Sequence, residues 1–148
     1  MSVRETALAA LFVCLQDALG VRSPAPLVLR NETVPQRLPS GGLVALRDGE
    51  AVEETAILSP LAWQVEHRAE VEVTVGGATP AGRAALLDGL LGDIAAALVA
   101  DRTLGGNVEW VQPSAATFED VEVEGAAAAR AAAIPVTLFF TVAATPHS

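Results

Sequence analysis

The side chains that could do chemistry are few in this sequence. Histidine occurs twice, at His67 and His147, and cysteine occurs once, at Cys14. A metal site needs several His, Cys or acidic ligands that converge on one point, and this spacing does not supply them. Cys14 lies beside the apolar stripe of a predicted helix, with no basic or histidine neighbour in sequence. That setting favours a buried, inert thiol over a reactive one.

The carboxylates offer a second kind of chemistry. Glu70 and Glu72 lie two residues apart in a strand-like segment, so they share one face and could act as a paired acid and base. The alternative is a solvated strand face, and the acidic run from Glu119 to Glu124 allows the same two interpretations. His67 does not pair with its neighbour Glu66, because successive side chains on a strand point to opposite faces.

Sequence motifs for catalysis are missing as well. The chain has no Walker loop, no G-x-G-x-x-G after a strand, no G-x-S-x-G and no C-x-x-C. The residues by themselves therefore indicate no catalytic site, and we expect no metal or cofactor.

The composition restricts the class of partner. The formal net charge of −9 argues against binding to a nucleic-acid backbone, which requires clusters of Lys and Arg. It allows a surface that DNA passes without sticking, and it also fits a surface that simply keeps the protein soluble. No apolar run approaches the length of a membrane helix, and the N-terminal residues do not resemble a secretory signal. The single cysteine excludes an internal disulfide and suggests a reducing compartment.

The chain is organised around the segment from Trp63 to Val75. Its residues alternate with a period of two, so one face is apolar and the other carries charge. This pattern predicts a long strand of an antiparallel sheet, with one face on the core and the other facing water or a partner. The charged face contains the following residues: Glu66, Arg68, Glu70 and Glu72.

The remaining elements follow from their periodicity and end signals. Apolar residues at helical spacing predict a first helix over about Val3 to Leu19, and Thr79-Pro80 begins a second. Asp48-Gly49 predicts a hairpin turn between strands Gly42 to Arg47 and Glu50 to Leu58.

Further strands are predicted at Val108 to Gln112, Phe118 to Glu124 and Ile134 to Ala143, the last with an unpaired or edge position at Pro135. Ala126 to Ala133 is compatible with helix or strand. These elements predict an α+β fold: a mostly antiparallel sheet of four to five strands with two main helices on one face. They form a single domain, residues 1–143, followed by a disordered tail, residues 144–148.

Five stretches together resemble the small tail-terminator proteins, also called tail-completion or minor tail protein U-like proteins, of long-tailed phages, prophages and gene transfer agents. The resemblance lies in the order and spacing of elements and covers nearly the whole chain. The stretches are RETALAALFVCLQ, LVLRNETVPQRLPSGGLVALRDGE, ILSPLAWQVEHRAEVEVTV, LLGDIAAALVADRTLGGNVEWVQP and EGAAAARAAAIPVTLFFTVA.

The resemblance implies a virion structural protein rather than an enzyme. Such proteins assemble as a ring of six at the head-proximal end of the tail tube, where they stop tube growth and offer a surface to the head-completion protein. The implied partners are further copies of the chain, the tube protein and the head-completion or connector protein, with DNA only passing through and no membrane. Assembly would take place in the host cytoplasm.

Loops carry function more often than strands do, so the interface residues are predicted on loops and turns. They are Arg30, Asn31, Glu32, Arg37, Arg47, Asp48, Asp101 and Arg102. The acidic strand face is predicted to line the channel of the ring. Three alternatives remain open: a head–tail connector, a monomeric acidic protein of the immunity type that binds one basic partner, and a small enzyme or ligand-binding domain.

Overall fold

A computed structural model of the chain describes residues 1–32, 37–121, 128–143 and 145. The helices and strands of these residues are α1 (Val3–Leu19), β1 (Leu27–Arg30), β2 (Leu43–Leu58), β3 (Leu61–Val75), α2 (Pro80–Ala100), β4 (Trp110–Pro113), β5 (Thr117–Val121) and β6 (Ala129–Val142). The predicted α+β class is confirmed, with six strands where four to five were expected.

All six strands belong to one sheet, in the order β1-β2-β3-β6-β4, and β5 also pairs with β6. Because β3 occupies one edge of β6 along almost its whole length, β4 and β5 follow one another along the other edge. The β1–β2 pair is parallel and every other pair is antiparallel. The long strand β3 therefore lies in the middle of the sheet.

Both helices cover one face of the sheet. Helix α1 begins at Ser2, whose hydroxyl accepts a hydrogen bond from the Glu5 amide at 3.0 Å, and α2 begins in the same way at Thr79. The apolar stripes of the two helices pack on the odd-numbered residues of β3 and the even-numbered residues of β6. Neither helix is long and apolar enough to span a membrane, among the residues described.

The predicted hairpin turn at Asp48-Gly49 is wrong. Strand β2 runs through this dipeptide to Leu58, and the turn to β3 falls at residues 59–60. The pairing of β2 with β3 shifts between Arg47 and Glu50, which marks a β-bulge. A bulge of this kind needs a positive φ, as a tight turn does, and Gly49 has a φ of 66°. The same two residues therefore signal either structure.

Pro135 occupies an inner strand rather than an edge, yet its missing N–H faces a gap. Its carbonyl accepts a hydrogen bond from the Ser114 amide at 2.8 Å. In an antiparallel strand the N–H and C=O of one residue point to the same side, so the proline nitrogen also faces this neighbour. The pairing along this edge of β6 is interrupted here, between β4 and β5. Pro135 therefore has the predicted unpaired position, but it is not on an edge strand.

Three predictions fall partly outside the described residues. Strand β5 ends at Val121, and the predicted continuation through Glu124 is not among them. The stretch from Ala126 to Ala133 was compatible with helix or strand. Its residues Ala126 and Ala127 lie outside the described part of the chain, whereas Ala129–Val142 is strand β6. The predicted disordered tail lies outside as well, except for Thr145.

Candidate functional site

The sheet face opposite the helices, called the open face below, carries the predicted acidic residues. Glu66, Glu70 and Glu72 lie half-buried on β3, and Arg68 beside them is exposed. Their neighbours in sequence on β3 point into the core on the other side. The predicted division of β3 into an apolar and a charged face is confirmed.

Charges on the open face are partly compensated. Arg47 of β2 lies opposite Glu70, and its Nε donates to Glu72 Oε2 at 3.4 Å. Its Nη1 also donates to the backbone carbonyl of Glu32 at 2.7 Å, which ties the segment after β1 to this face. Partial burial, followed by repulsion from Glu72, raises the pKa of Glu70. The face thus has more negative charge than Arg47 and Arg68 balance.

A second group of charges connects α1, β1 and β2 on the helix-covered side. The Arg30 guanidinium donates to Glu5 through Nη1 and Nη2, at 2.8 and 2.9 Å. It also donates to Asp48 through Nε and Nη2, at 2.8 and 3.0 Å. These three residues form the Arg30 cluster. Two forked pairs on one guanidinium are geometrically specific, and charge-assisted hydrogen bonds are about twice as strong as neutral ones.

The cluster shifts the pKa values of its members in the directions that favour charge. Hydrogen bonding to Arg30 lowers the pKa of Glu5. Partial burial of Asp48 acts upwards, but hydrogen bonds with Arg30 and Asn31 outweigh it and lower the pKa of Asp48. The two carboxylates, Glu5 first, raise the pKa of Arg30. All three groups are therefore charged at neutral pH, and they hold the bulge of β2 to the start of α1.

His67 of β3 contacts the backbone of the same bulge. Its imidazole is fully buried, and Nε2 lies 2.5 Å from the Asp48 carbonyl. A carbonyl can only accept, so Nε2 carries the proton and Nδ1 is left with a lone pair. Nδ1 has no hydrogen-bond partner among the described residues. Burial lowers the pKa of His67, against the opposing effect of the Asp48 hydrogen bond, so the ring is neutral.

Beyond the bulge, β2 and β3 continue as a projecting hairpin arm, defined here as residues 50–63. Strand β1 pairs with β2 only at residues 43–46, so the outer edge of β2 along the arm has no strand beside it among the described residues. The arm ends in eight uncharged residues, Ala-Ile-Leu-Ser-Pro-Leu-Ala-Trp at positions 56–63. Leu58 is 83% exposed and Leu61 is 53% exposed. An exposed apolar tip of this kind marks a contact surface.

The predicted loop residues have different surroundings. Arg30 is the last residue of β1 and Asp48 lies within β2, so both are engaged inside the Arg30 cluster instead of lying on loops. Asn31 is exposed, with a φ of 55°, and its side-chain oxygen accepts from the Asp48 amide at 3.0 Å. Glu32 and Arg37 are exposed. Asn31, Glu32 and Arg37 are thus exposed outside the strands, and Asn31 is held by its hydrogen bond.

The predicted turn after α2 is exposed and has a structural role. Asp101 Oδ1 accepts from the Gly105 amide at 3.0 Å, which closes the turn, and Arg102 is exposed beside it. The turn lies against α1 near Cys14, where α1 and the turn leave a groove of about 420 Å³ between them. Burial, and then the carboxylates of Asp101 and Asp17, raise the pKa of Cys14. The predicted inert thiol agrees with this surrounding.

The structure brings no catalytic constellation together in its described part. No group of three or more His, Cys, Asp or Glu residues there could hold a metal ion. Glu70 and Glu72 do lie near each other, half-buried on the same open sheet face. The features that stand out are those of a contact surface: the acidic open face, the apolar arm tip, and the outer edges of β2 and of β4 and β5, which no other described strand pairs with.

An aromatic pair on the open face was not predicted from the sequence. Trp110 of β4 stacks on Phe139 of β6, with ring centroids 4.5 Å apart and planes at 12°. Trp110 remains 40% exposed. The sequence gives no direct signal for this pair, because it depends on the register of two strands that are distant in the chain.

Comparison with protein-family models and with curated proteins finds no match for this sequence.

Proposed function

We propose that this protein forms a ring that ends the tail tube of a long-tailed phage, prophage or gene transfer agent and offers a surface for joining the head. The observation that carries the proposal is the two-sided sheet. Both helices cover one face, whereas the central strand presents Glu66, Glu70 and Glu72 on the other. This is the arrangement required of a subunit that packs on one side and faces a channel on the other.

The charge of the chain supports a channel through which DNA slides. Six copies would carry a formal charge of −54, six times −9. A wall of carboxylates repels the phosphate backbone, so DNA would not be held by the counterion-releasing contacts that basic proteins make. In this proposal the open face lines the channel, and the ring acts by binding its neighbours, without a catalytic step.

The free edges and the arm support assembly with copies of the same chain. A contact between two different patches relates each copy to the next by a rotation. A closed ring forms when repeating this rotation returns to the first copy. The arm on β2 lies on one edge of the sheet, and β4 and β5 lie on the other. A subunit with unlike edges has the asymmetry that such a ring requires.

The test is a tube-growth assay with a tail-tube protein of the phage or element that encodes this chain. Addition of the purified protein to polymerising tube protein should stop growth and give short tubes whose length falls as the protein is added in excess. Tubes that grow at an unchanged rate, and carry no bound protein at either end, would contradict the proposal. Binding at the tube end without arrest would favour the head–tail connector.

The channel is tested separately by removing its charge. A variant with Glu66→Gln, Glu70→Gln and Glu72→Gln should assemble normally and slow DNA ejection, because the wall no longer repels the phosphates. The matched control carries Asp17→Asn and Asp88→Asn, two exposed carboxylates on the helices that cover the other face, and should eject DNA at the normal rate. Normal ejection by the first variant would exclude the open face as the channel wall.

A further inference from the structure

The sheet has a projection on one edge and a recess on the other. The recess, called the edge cleft, measures about 230 Å³ and lies between α2 and the segment that joins β4 to β5. It is lined by Leu91 and Ala95 of α2, Pro113 of β4, Ala116 of the connecting segment and Ile134 of β6. Pockets for cofactor-sized ligands run to about 300–1,000 Å³, so this cleft suits an aliphatic side chain better than a cofactor.

We propose that the arm tip of one copy inserts Leu58 into the edge cleft of a second copy of this chain. The inference rests on the proposed ring and names the contact that closes it. Leu58 and the cleft both lie on the helix-covered side of the sheet, at opposite edges. Insertion therefore joins unlike patches head to tail.

The distribution of charge favours the edge cleft over the larger groove beside α1 as the site that binds the arm tip. The arm carries Glu53 and Glu54 immediately before its uncharged tip. The α1 groove has Asp17 and Asp101 in its wall, which would repel them. The edge cleft has no charged residue in its lining. Two chains of net charge −9 repel in general, so a contact between them is favoured where neither surface is charged.

The spacing of charges along the two surfaces also matches. Glu54 lies four residues before Leu58, and Arg130 lies four residues before Ile134 of the cleft, each pair within one strand. Four strand residues span about 13 Å in both cases. With Leu58 in the cleft and the arm along the β5 edge, Glu54 thus reaches Arg130.

Arg130 is suited to receive a carboxylate. It lies 5.5 Å from the ring centroid of Phe118, which is 54% exposed, and no ion pair involving Arg130 forms among the described residues. Its register partner on β5 is Asp120, which lies directly across the strand pair. Arg130 would bridge Asp120 of its own chain and Glu54 of the next copy.

Cross-linking between copies tests the contact. In a Cys14→Ser background, one variant carries Leu58→Cys and a second carries Ala116→Cys. Mixed at high protein concentration with a short bismaleimide, the two should give covalent dimers that neither gives alone. The control replaces the second variant by Val13→Cys, in the α1 groove, and should give none. Cross-linking to position 13 instead, or no cross-linking to either, overturns the inference.

Self-association provides the second readout. Leu58→Asp should weaken self-association at least tenfold, because the buried aliphatic side chain is lost. Val21→Asp changes a residue that is equally exposed, at 85%, and should leave association unchanged. Glu54→Arg and Arg130→Glu should each weaken association, and the double variant should restore it. Failure of this rescue, or a wild-type protein that stays monomeric, contradicts the contact.

These outcomes separate the contact from the function. If rings form normally with Leu58→Asp, the arm contact is wrong and the tail-terminator proposal stands. If the ring depends on Leu58 but tube growth does not depend on the ring, the contact stands and the proposed function fails. Normal self-association of Leu58→Asp, together with loss of binding to the tube end, would assign the arm to the tube protein instead.

Discussion

Replacing Arg30 by glutamine removes four charge-assisted hydrogen bonds at once. The Arg30 side chain is 19% exposed, and those of its partners Glu5 and Asp48 are 38% and 21% exposed. Breaking a fully buried pair costs about 3–5 kcal/mol, and breaking an exposed pair costs about 0–1 kcal/mol. The cluster lies between these limits, so Arg30→Gln should lower the free energy of unfolding by about 2 kcal/mol.

The matched control is Arg22→Gln. Arg22 makes a single contact of 2.5 Å with Asp93, and the two side chains are 27% and 45% exposed. Its loss should cost less than about 1 kcal/mol. Thermal unfolding followed by circular dichroism resolves the two, because about 1 kcal/mol shifts the Tm by roughly 2–4 °C in a domain of this size. The Arg30 variant should melt about 4–8 °C below wild type.

Acid provides a second check on the same cluster. The pKa values of Glu5 and Asp48 are lowered in the native state. Their contribution to stability is therefore complete above the unfolded-state pKa values of about 4, and it is lost as pH falls through the native values. The difference between wild type and Arg30→Gln should shrink below about pH 4. Equal costs for the Arg30 and Arg22 variants, or a gap that does not change in acid, would refute the reasoning.

Three further predictions concern single sites. His67 is neutral and buried, so in acid the unfolded chain takes up a proton that the native state does not. The free energy of unfolding should therefore fall below about pH 6.5, by at most ~1.4 kcal/mol per pH unit. His67→Gln should remove this pH dependence, as measured by urea titrations at pH 5–7. A wild-type profile identical to that of the variant would contradict a neutral ring. Glu70→Gln should stabilise the protein at pH 7 by about 0.5 kcal/mol or less, since it relieves a repulsive pair with Glu72, and the gain should vanish in acid; a loss of stability at pH 7 would show that no repulsion exists. Gly49→Ala should destabilise the protein by more than about 2 kcal/mol, because the new β-carbon would lie 1.9 Å from a carbonyl oxygen of β3. Gly92→Ala is the comparison: a β-carbon there meets nothing within 4 Å, so this variant should stabilise the protein by up to ~1 kcal/mol. Chemical denaturation compares the two, and equal effects would place Gly49 at an open turn.

Local signals were sufficient for most elements of the fold. Helix α1 has the predicted bounds, because a serine cap and a glycine stop enclose a regular apolar stripe. The alternation in β3 predicted which of its faces is buried. Its central place in the sheet comes from its pairing with β2 and β6. Such signals act within a few residues, so one sequence is enough to read them.

The arm was missed because one dipeptide fits two structures. Asp48-Gly49 supplies the positive φ of a hairpin turn, but in the fold the Arg30 cluster and His67 hold Asp48 inside the sheet, so the strand continues through a bulge. These partners lie 18 and 19 residues away in sequence. Propensity is local, whereas the choice between turn and bulge is made by contacts that only the tertiary fold provides.

The candidate surface was predicted in part for the same reason. The acidic face of β3 follows from alternation alone, and Glu66, Arg68, Glu70 and Glu72 do share it. The edge cleft combines residues of α2, β4 and β6, which no sequence window contains. Arg30 was expected on a loop because its role as a structural cation depends on Glu5, 25 residues earlier.

The central claim, that this protein ends the tail tube, is tested most directly by the length of tails in particles that lack its gene. Electron microscopy should then show overlong tubes without heads, and supplying the wild-type chain should restore tails of uniform length. Tails of normal length that only fail to hold heads would assign the protein to the connector. Normal, infectious particles would contradict the account.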